Sequence, residues 1–358
     1  MFRKMSLLLG ATLALMLVLA GCASNDSANG GGNSLDNAAQ AQEEKITDTE
    51  SNEDGKQEEQ EANRPLADNE QALTRTVTDM FGEVEIPTNP QRMIVIGTRY
   101  AEYLIELGII PSGVLYVSDA EPDYRFDYFA EHGVEMIEYP QYEQNYELLT
   151  SLNSDLIVAY GAAVVDGIYE QLSKIAPTIA VPGTVFMKDA MPALAAIFER
   201  EDELESATAA YQEKVETAKK QLAPLVKDKT VLVLRVDPKQ YRYLGMNSQG
   251  ASELFYQQLG LQIPEALKGG EAWFNPLSLE ILPEVNPDYI FIEKRVLEGD
   301  DSDQSWNDLM ESVLWKKLDA VQNNRVFEVE TKELVQGEGP IGYTYLIDFI
   351  VESIASAQ

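Results

Sequence analysis

Two stretches of the chain, NYELLTSLNSDLIVAY (145–160) and SLEILPEVNPDYIFIE (278–293), share one layout of polar cap, acid, asparagine, aspartate and apolar run. Aligned without gaps, Glu147 falls on Glu280, Leu149 on Leu282, Asn153 on Asn286, Asp155 on Asp288 and Ile157 on Ile290. Asn145 and Ser278 are good helix N-caps, and an acid two places later complements the partial positive charge of a helix start. The local chemistry of Glu147 and Glu280 is therefore electrostatic. Bond-making chemistry lacks its parts. The chain has one histidine, His132, in the polar segment AEHGVE, and neither GxSxG nor HExxH occurs. A hydrolase without a nucleophile and base pair is excluded, and so is a bare Zn or Mn site, which needs histidines clustered with carboxylates.

The 358 residues carry a net charge of -33, of which the first 73 residues hold -8 and the rest -25. So acidic a chain does not bind nucleic acid, which requires basic surface, nor does it adhere to anionic lipid through basic patches. The N-terminus offers another route to a membrane. In MFRKMSLLLGATLALMLVLAGC, Arg3 and Lys4 precede about sixteen mainly apolar residues, too few for a comfortable span and right for an export signal. The closing LAGC is similar to a bacterial lipobox, in which the thiol of Cys22 takes a diacylglyceryl group and becomes the mature N-terminus. Cys22 is the only cysteine, so the chain offers it no disulfide partner. From there to residue 73 the composition turns to Gly, Ser, Asn, Gln and acids, too polar to offset its own ordering entropy. Roughly 50 residues of such chain reach about 40 Å. The expected organisation is a signal over 1–21, lipidated Cys22 with an acidic tether over 22–73, and a folded body leashed to the outer face of a bacterial cell membrane.

Within that body short apolar runs alternate with amphipathic segments. MIVIG (93–97) is a strand and RYAEYLIELG a helix ending at Gly108. GVLYV, DLIVAY and TIAV are further strands, with a helix in VVDGIYEQLSKI. After Pro192 a helical pattern runs to about Val226, and a second alternating set follows: TVLVLRV, YRYL, a helix in SELFYQQLG, DYIFIE, short helices around Trp306 and Trp315, RVFEV and a last helix from about Gly342. Alternation of this kind predicts α/β architecture with doubly wound sheets. The expected units are an N-terminal lobe over 74–200, an interlobe helix over 201–226 and a C-terminal lobe over 227–358.

TVTDMFGEVEIPTNPQRMIVIG, NYELLTSLNSDLIVAY, KIAPTIAVP, the linking helix, LSLEILPEVNPDYIFIE and WKKLDAVQNNRVFEV occur in one order. That order resembles the iron-siderophore and cobalamin class of ABC-transporter substrate-binding lipoproteins, over residues 74 to 356. The resemblance implies two α/β lobes bridged by one long helix, the helical-backbone or class III periplasmic-binding-protein arrangement, with ligand in a shallow cleft between them. It implies no enzymatic activity, no cofactor and no metal held directly by side chains. It also gives the repeated acids a second role: Glu147 and Glu280 fall where the family pairs one acid per lobe with arginines of a permease dimer. Asp155 and Asp288 fit the family's "PD" before a core strand, with Ser154 replacing the proline in the first copy, and read as turn formers.

Ferric siderophores are large, oxygen-rich and often anionic, so the resemblance points to basic and aromatic residues just past strand ends. Arg99 and Tyr100 follow MIVIG, Tyr160 ends DLIVAY, and Arg235, Arg242 and Tyr243 lie on or beside the first C-lobe strands. Trp273 precedes LSLE, and Lys294 and Arg295 follow DYIFIE. The competing reading has Arg235 and Arg242 satisfied by lobe carboxylates and Trp273 partly core. Several family members carry a basic residue shortly before the first docking acid. Here that segment is YPQYEQ, which favours a hydroxamate or citrate-hydroxamate chelate over a catecholate. Haem and cobalamin are alternatives, with Met246, Tyr243 or Tyr100 as axial options for haem, as is a ligand-sensing lipoprotein without transport. If Cys22 is the acceptor, Cys22→Ala abolishes labelling of the protein by a palmitate analogue in growing cells; equal labelling of the variant would show that it is not.

Overall fold

The computed structural model describes residues 73–118, 121–140, 145–165, 167–296 and 301–358. Cys22, the tether up to residue 72 and positions 141–144 of YPQYEQ lie outside the described residues. The chain enters through an antiparallel hairpin, β1 (Thr74–Asp79) and β2 (Gly82–Pro87). The N-lobe follows as β3 (Met93–Ile96), α1 (Thr98–Glu106), β4 (Gly113–Tyr116), α2 (Asp123–Glu131), β5 (Glu135–Glu138), α3 (Tyr146–Ser151), β6 (Leu156–Tyr160), α4 (Ile168–Leu172), β7 (Thr178–Val181) and α5 (Met187–Phe198). Its five strands are all parallel, in the order β5-β4-β3-β6-β7. Alternate residues of one strand enter different cores. Leu156 and Val158 pack with α1 and α5, while Ile157 and Ala159 pack with α3 and α4. A sheet covered on both faces needs near-continuous apolar strands, as LIVA is.

Helix α6 (Glu201–Leu222) then crosses to the C-lobe. Its 22 residues span about 33 Å at 1.5 Å per residue. Glu201, Asp202 and Glu203 sit in its first turn and Lys219 and Lys220 in its last, both complementing the helix dipole. The expected unbroken helix after Pro192 is in fact two, because Glu199 takes a left-handed conformation (φ 56°) that ends α5. The C-lobe contains β8 (Val231–Asp237), β9 (Gln240–Leu244), a π-helical turn at Glu253–Gln258, β10 (Phe274–Pro276), α7 (Leu282–Val285), β11 (Tyr289–Lys294), α8 (Asp303–Glu311), α9 (Val313–Lys316), α10 (Asp319–Gln322), β12 (Val326–Glu328) and α11 (Pro340–Ser356). Its sheet runs β10-β9-β8-β11-β12, with β8, β11 and β12 parallel and the hairpin strands β9 and β10 antiparallel.

The two lobes are joined by a second, buried connection. Arg125 on α2 and Glu102 on α1 are both 0% exposed, with Nε donating to Glu102 Oε2 at 3.0 Å. Arg125 also donates to Glu121 (2.8 Å), to Thr98 Oγ1 (3.2 Å) and across the lobe boundary to the Glu338 carbonyl (3.2 Å). Glu102 Oε1 in turn accepts the backbone N–H of Ile341 at 2.9 Å and of Gly342 at 3.4 Å, at the start of α11. The residue before α11 is Gly339, at φ 151°; a Cβ there would lie 2.2 Å from Glu102 Oε1. Only glycine lets the carboxylate approach the helix end so closely. Removing one member of a buried ion pair leaves the other uncompensated. Glu102→Ala is expected to lower stability by about 3 to 5 kcal/mol in urea unfolding. A loss below about 1 kcal/mol would show that Glu121 alone satisfies Arg125.

Candidate ligand cleft

In each lobe the chain reverses its direction of winding between two central parallel strands, and the crevice beyond their carboxyl ends is where open α/β sheets bind ligands. In the N-lobe these strands are β3 and β6. Tyr160 ends β6 and Tyr100 sits in the first turn of α1 after β3, so their rings stack at 6.1 Å and 23°. Tyr100 is buried and its hydroxyl has no partner among the described residues; Tyr160 is half-buried. In the C-lobe the strands are β8 and β11. Asp237 ends β8, Lys294 ends β11 and Arg295 follows it. Asp237 accepts both Nε and Nη2 of Arg242, at 2.6 and 2.7 Å, and stands 3.7 Å from Arg295 Nε. One register step deeper, Arg235 lies opposite Glu293 across the strands and donates to its Oε2 at 2.5 Å.

The expected contact residues thus divide. Arg235 is 3% exposed, its guanidinium 3.4 Å above the Phe274 ring and 5.9 Å from the Trp273 ring. Its Nη2 and the Trp273 indole N–H are buried without partners among the described residues. Burial outweighs the neighbouring carboxylate and pulls the Arg235 pKa below its usual value. Arg99 reaches across the lobe boundary, donating to the Val335 carbonyl (2.6 Å) and to Gln336 Oε1 (2.9 Å) and lying 3.5 Å from Glu338. Lys294 pairs with Asp303 at 2.5 Å. Tyr243 faces the C-lobe core, and burial raises the pKa values of both its phenol and that of Tyr100. Trp273 packs against the core edge. Between the lobes a cavity of about 620 Å³ is lined by Ser118 and Phe126 from the N-lobe and by Lys294, Val296 and Thr331 from the C-lobe. Lys332 bridges the lobes along it through Asp123, at 2.5 Å. A separate cavity of about 580 Å³ runs along α6 against Met187, Met191 and Val215, away from the strand ends.

The repeated segments occupy equivalent places. Asn145 accepts Leu148 N (2.9 Å) and Ser278 accepts Glu280 N (3.3 Å), each capping a short helix. Asp155 accepts the N–H groups of Gln91 (2.6 Å) and Arg92 (3.0 Å), just before β3; Asp288 accepts that of Thr230 (2.9 Å), just before β8. Each aspartate therefore pins the start of the strand beside its own. Glu147 and Glu280 are exposed, and neither pairs with a cation among the described residues. His132 is likewise exposed, closing α2. Sequence reasoning missed Glu102, Arg125 and Glu338. The available signals were an acid in the apolar stripe YAEYL and the i, i+4 spacing of Glu121 and Arg125.

A sequence profile of the periplasmic binding protein family matches residues 94–332, and the chain belongs to that family. The family consists of solute-binding proteins and not enzymes. Among its relatives, the chain is 29% identical over 299 residues to the iron(3+)-hydroxamate-binding protein FhuD of Bacillus subtilis, covering 82% of this chain and 90% of that one. It is 29% identical over 266 residues to the Fe(3+)-citrate-binding protein YfmC of the same organism, covering 72% and 78%. A crystal structure of a B. subtilis periplasmic binding protein component of a Fep/Fec-like ferrichrome ABC transporter superposes with TM-score 0.65 at 27% identity, over 78% of this chain and 99% of that one. Staphylococcus aureus SirA complexed with staphyloferrin B superposes with TM-score 0.64 at 26% identity, over 79% and 99%. The expected two-lobed α/β class is that of these structures.

Glu338 gives the lobe interface a titratable group. It is 1% exposed, and burial raises its pKa from 4.5 to about 7 against the opposing pull of Arg99, Arg125 and the Ala251 backbone N–H. A carboxyl raised in the folded state binds its proton before the unfolded chain does. Its ionised form therefore costs stability above pH 7, and that cost is relieved as the pH falls through 7 and is gone below 4.5. Glu338→Gln should raise the melting temperature at pH 8 and change it little at pH 5. Equal shifts at both pH values would show that Glu338 does not titrate in this window.

Proposed function

We propose that this chain is the lipid-anchored, extracytoplasmic binding protein of an iron-uptake ABC transporter, capturing a ferric siderophore in the interlobe cleft and delivering it to a permease dimer. The observation that carries the reading is the joint placement of an aromatic pair at one switch point and an arginine cluster at the other. It occurs in a chain similar over most of its length to proteins named for ferric hydroxamate and ferric citrate. Tyr160, Arg242, Trp273, Lys294 and Arg295 are the direct contacts in this reading. Tyr100, Arg235 and Tyr243 lie beneath them, and Arg99 holds the lobes in register. Arg235, Arg242 and Arg295 are each already set against a carboxylate, Glu293 or Asp237. That balance favours a hydroxamate or citrate-hydroxamate chelate over a strongly anionic tris-catecholate. Haem is less well supported, because the raised pKa values of Tyr100 and Tyr243 oppose phenolate ligation of iron.

Delivery rests on Glu147 and Glu280, one exposed acid per lobe at equivalent positions, pairing with permease arginines. Anchoring rests on Cys22, with more than one acyl chain holding the protein firmly to the outer membrane face. Both parts of the reading are tested together. The purified protein titrated with a panel of ferric chelates, haem and cobalamin, by quenching of tyrosine and tryptophan fluorescence, should bind a ferric hydroxamate best. The Glu147→Lys/Glu280→Lys variant should bind it equally well, yet its cells should take up far less of the radiolabelled chelate at matched surface abundance. Preference for haem or cobalamin would overturn the ligand assignment, and normal uptake by the double variant would return the two acids to a helix-start role.

A further inference from the structure

The hairpin that precedes the N-lobe ends in two apolar residues that the fold leaves half in water. Met80 and Phe81 are 46% and 48% exposed, whereas Val77 and Ile86 of the same hairpin are buried in the N-lobe core. The turn that carries them is rigidly held. Asp79, 7% exposed, accepts the N–H groups of Phe81 (2.7 Å) and Gly82 (3.1 Å) with one oxygen and that of Ala180 (2.9 Å) with the other. Met80 N donates to the Ala180 carbonyl at 2.9 Å. Ala180 is the penultimate residue of β7, so these bonds fasten the turn at that strand's carboxyl end.

The turn also reaches the switch point. Gly161, the first residue beyond β6, lies beneath Met80: a Cβ at Gly161 would fall 2.6 Å from Met80 Sδ and 2.7 Å from the Val181 carbonyl. Its chain neighbour is Tyr160, stacked on Tyr100. On the other side, the Phe81 ring packs at 4.4 Å and 33° on Tyr169. The C-lobe meets the segment that follows β7. Phe186, a few residues past β7, stands 3.1 Å from where a Cβ of Gly250 would be. Met80 therefore stands at the carboxyl ends of β6 and β7, against the residue that follows Tyr160, with Phe81 beside it.

We propose that the β1–β2 turn is a specificity wall of the cleft, with Met80 and Phe81 packing on the hydrocarbon linkers of a bound ferric chelate, an inference that rests on the reading of the cleft as a chelate site. Apart from Trp273, the rest of the recognition set is charged or phenolic and suits the iron-bound oxygens. A chelate with aliphatic arms also presents apolar surface, and ligand sites are lined mainly by apolar and aromatic groups. Methionine adapts its shape to such a partner. The hydrogen bonds of Asp79 order the backbone beforehand, which reduces the entropy lost on contact. A small, fully polar chelate makes no use of this wall.

The experiment compares Met80→Ser/Phe81→Ser with the unaltered protein, using fluorescence titration with ferrioxamine, a trihydroxamate with pentamethylene linkers, and with ferric citrate. The double variant is expected to lose ferrioxamine affinity by at least about tenfold, the scale for withdrawing two apolar side chains from contact, while Met80→Leu/Phe81→Leu retains it. Whatever affinity the protein has for ferric citrate should stay within about twofold. Unchanged ferrioxamine binding by the serine variant, at an unchanged melting temperature, overturns the proposal and leaves the chelate reading intact. An equal loss for both chelates also overturns it, because the turn then acts on the lobe as a whole. Failure of the unaltered protein to bind either chelate removes the chelate reading and this inference with it.

Discussion

One carboxylate, that of Glu102, is shared by both lobes. Its Oε2 receives Arg125 and the Tyr124 hydroxyl from its own lobe, and its Oε1 receives two backbone N–H groups at the start of α11 in the other. Gly339 before α11 has no side chain with which to cap it, so a residue distant in sequence completes the helix end. Separating the lobes would strand a buried arginine, a buried carboxylate and orphan helix N–H groups together. Helix α6 adds a rigid strut, tied to α11 by Lys214 and Asp348 at 2.5 Å and by the Tyr211 and Tyr343 rings at 6.1 Å. For the proposed ligand this favours recognition by a cleft already formed over hinged closure around it.

The strands that build the cleft floor were legible because β3, β4, β6, β7, β8 and β11 are nearly pure apolar runs. The edge strand β5, Glu-Met-Ile-Glu, was not, since its four residues are half or fully exposed. Helix α2 escaped notice because DYRFDYFAE reads as a polar surface segment, whereas its Arg125 is at the centre of the molecule. The break at Glu199 leaves the helical period almost undisturbed, and only a local left-handed residue reveals it. For the site, residue type was a better guide than residue role. Arg99 and Arg235 are the right kind of group in the right lobes, but their partners Glu338 and Glu293 come from remote segments, and no local pattern announces a partner supplied by tertiary structure. Trp273 fits the alternative that placed it partly in the core.

The internal repeat separates structural from unexplained conservation of position within this one chain. Asn153 and Asn286 both take left-handed conformations, at φ 49° and 31°, ending their helices. Asp155 and Asp288 both pin a neighbouring strand. Each of these residues has an internal task that the doubly wound fold imposes on any lobe of this shape. Glu147 and Glu280 do no more inside the chain than complement a helix start, since Asn145 and Ser278 already cap those starts with their own side chains. The repetition of an exposed acid in register is the observation on which the proposed pairing with a permease rests.

Electrostatics connects the proposed permease partner to the proposed ligand. Residues beyond 73 carry a net charge of -25, so the body repels anions at distances beyond a Debye length of about 8 Å only weakly, but strongly at closer approach. At the strand ends of the C-lobe Arg235, Arg242 and Arg295 are each already set against Glu293 or Asp237. In the proposed reading a compact trianion entering there must displace Asp237 or Glu293 from arginines they already hold. A chelate of low net charge avoids that penalty in the same reading and relies on aromatic and apolar contact, for which Tyr160, Trp273 and the Met80–Phe81 turn are suited. In the proposed function the same acidic field favours a permease face bearing arginines, with Glu147 and Glu280 as the points of pairing. On that reading a single bias in composition both disfavours strongly anionic cargo and steers the loaded protein to a basic receiver.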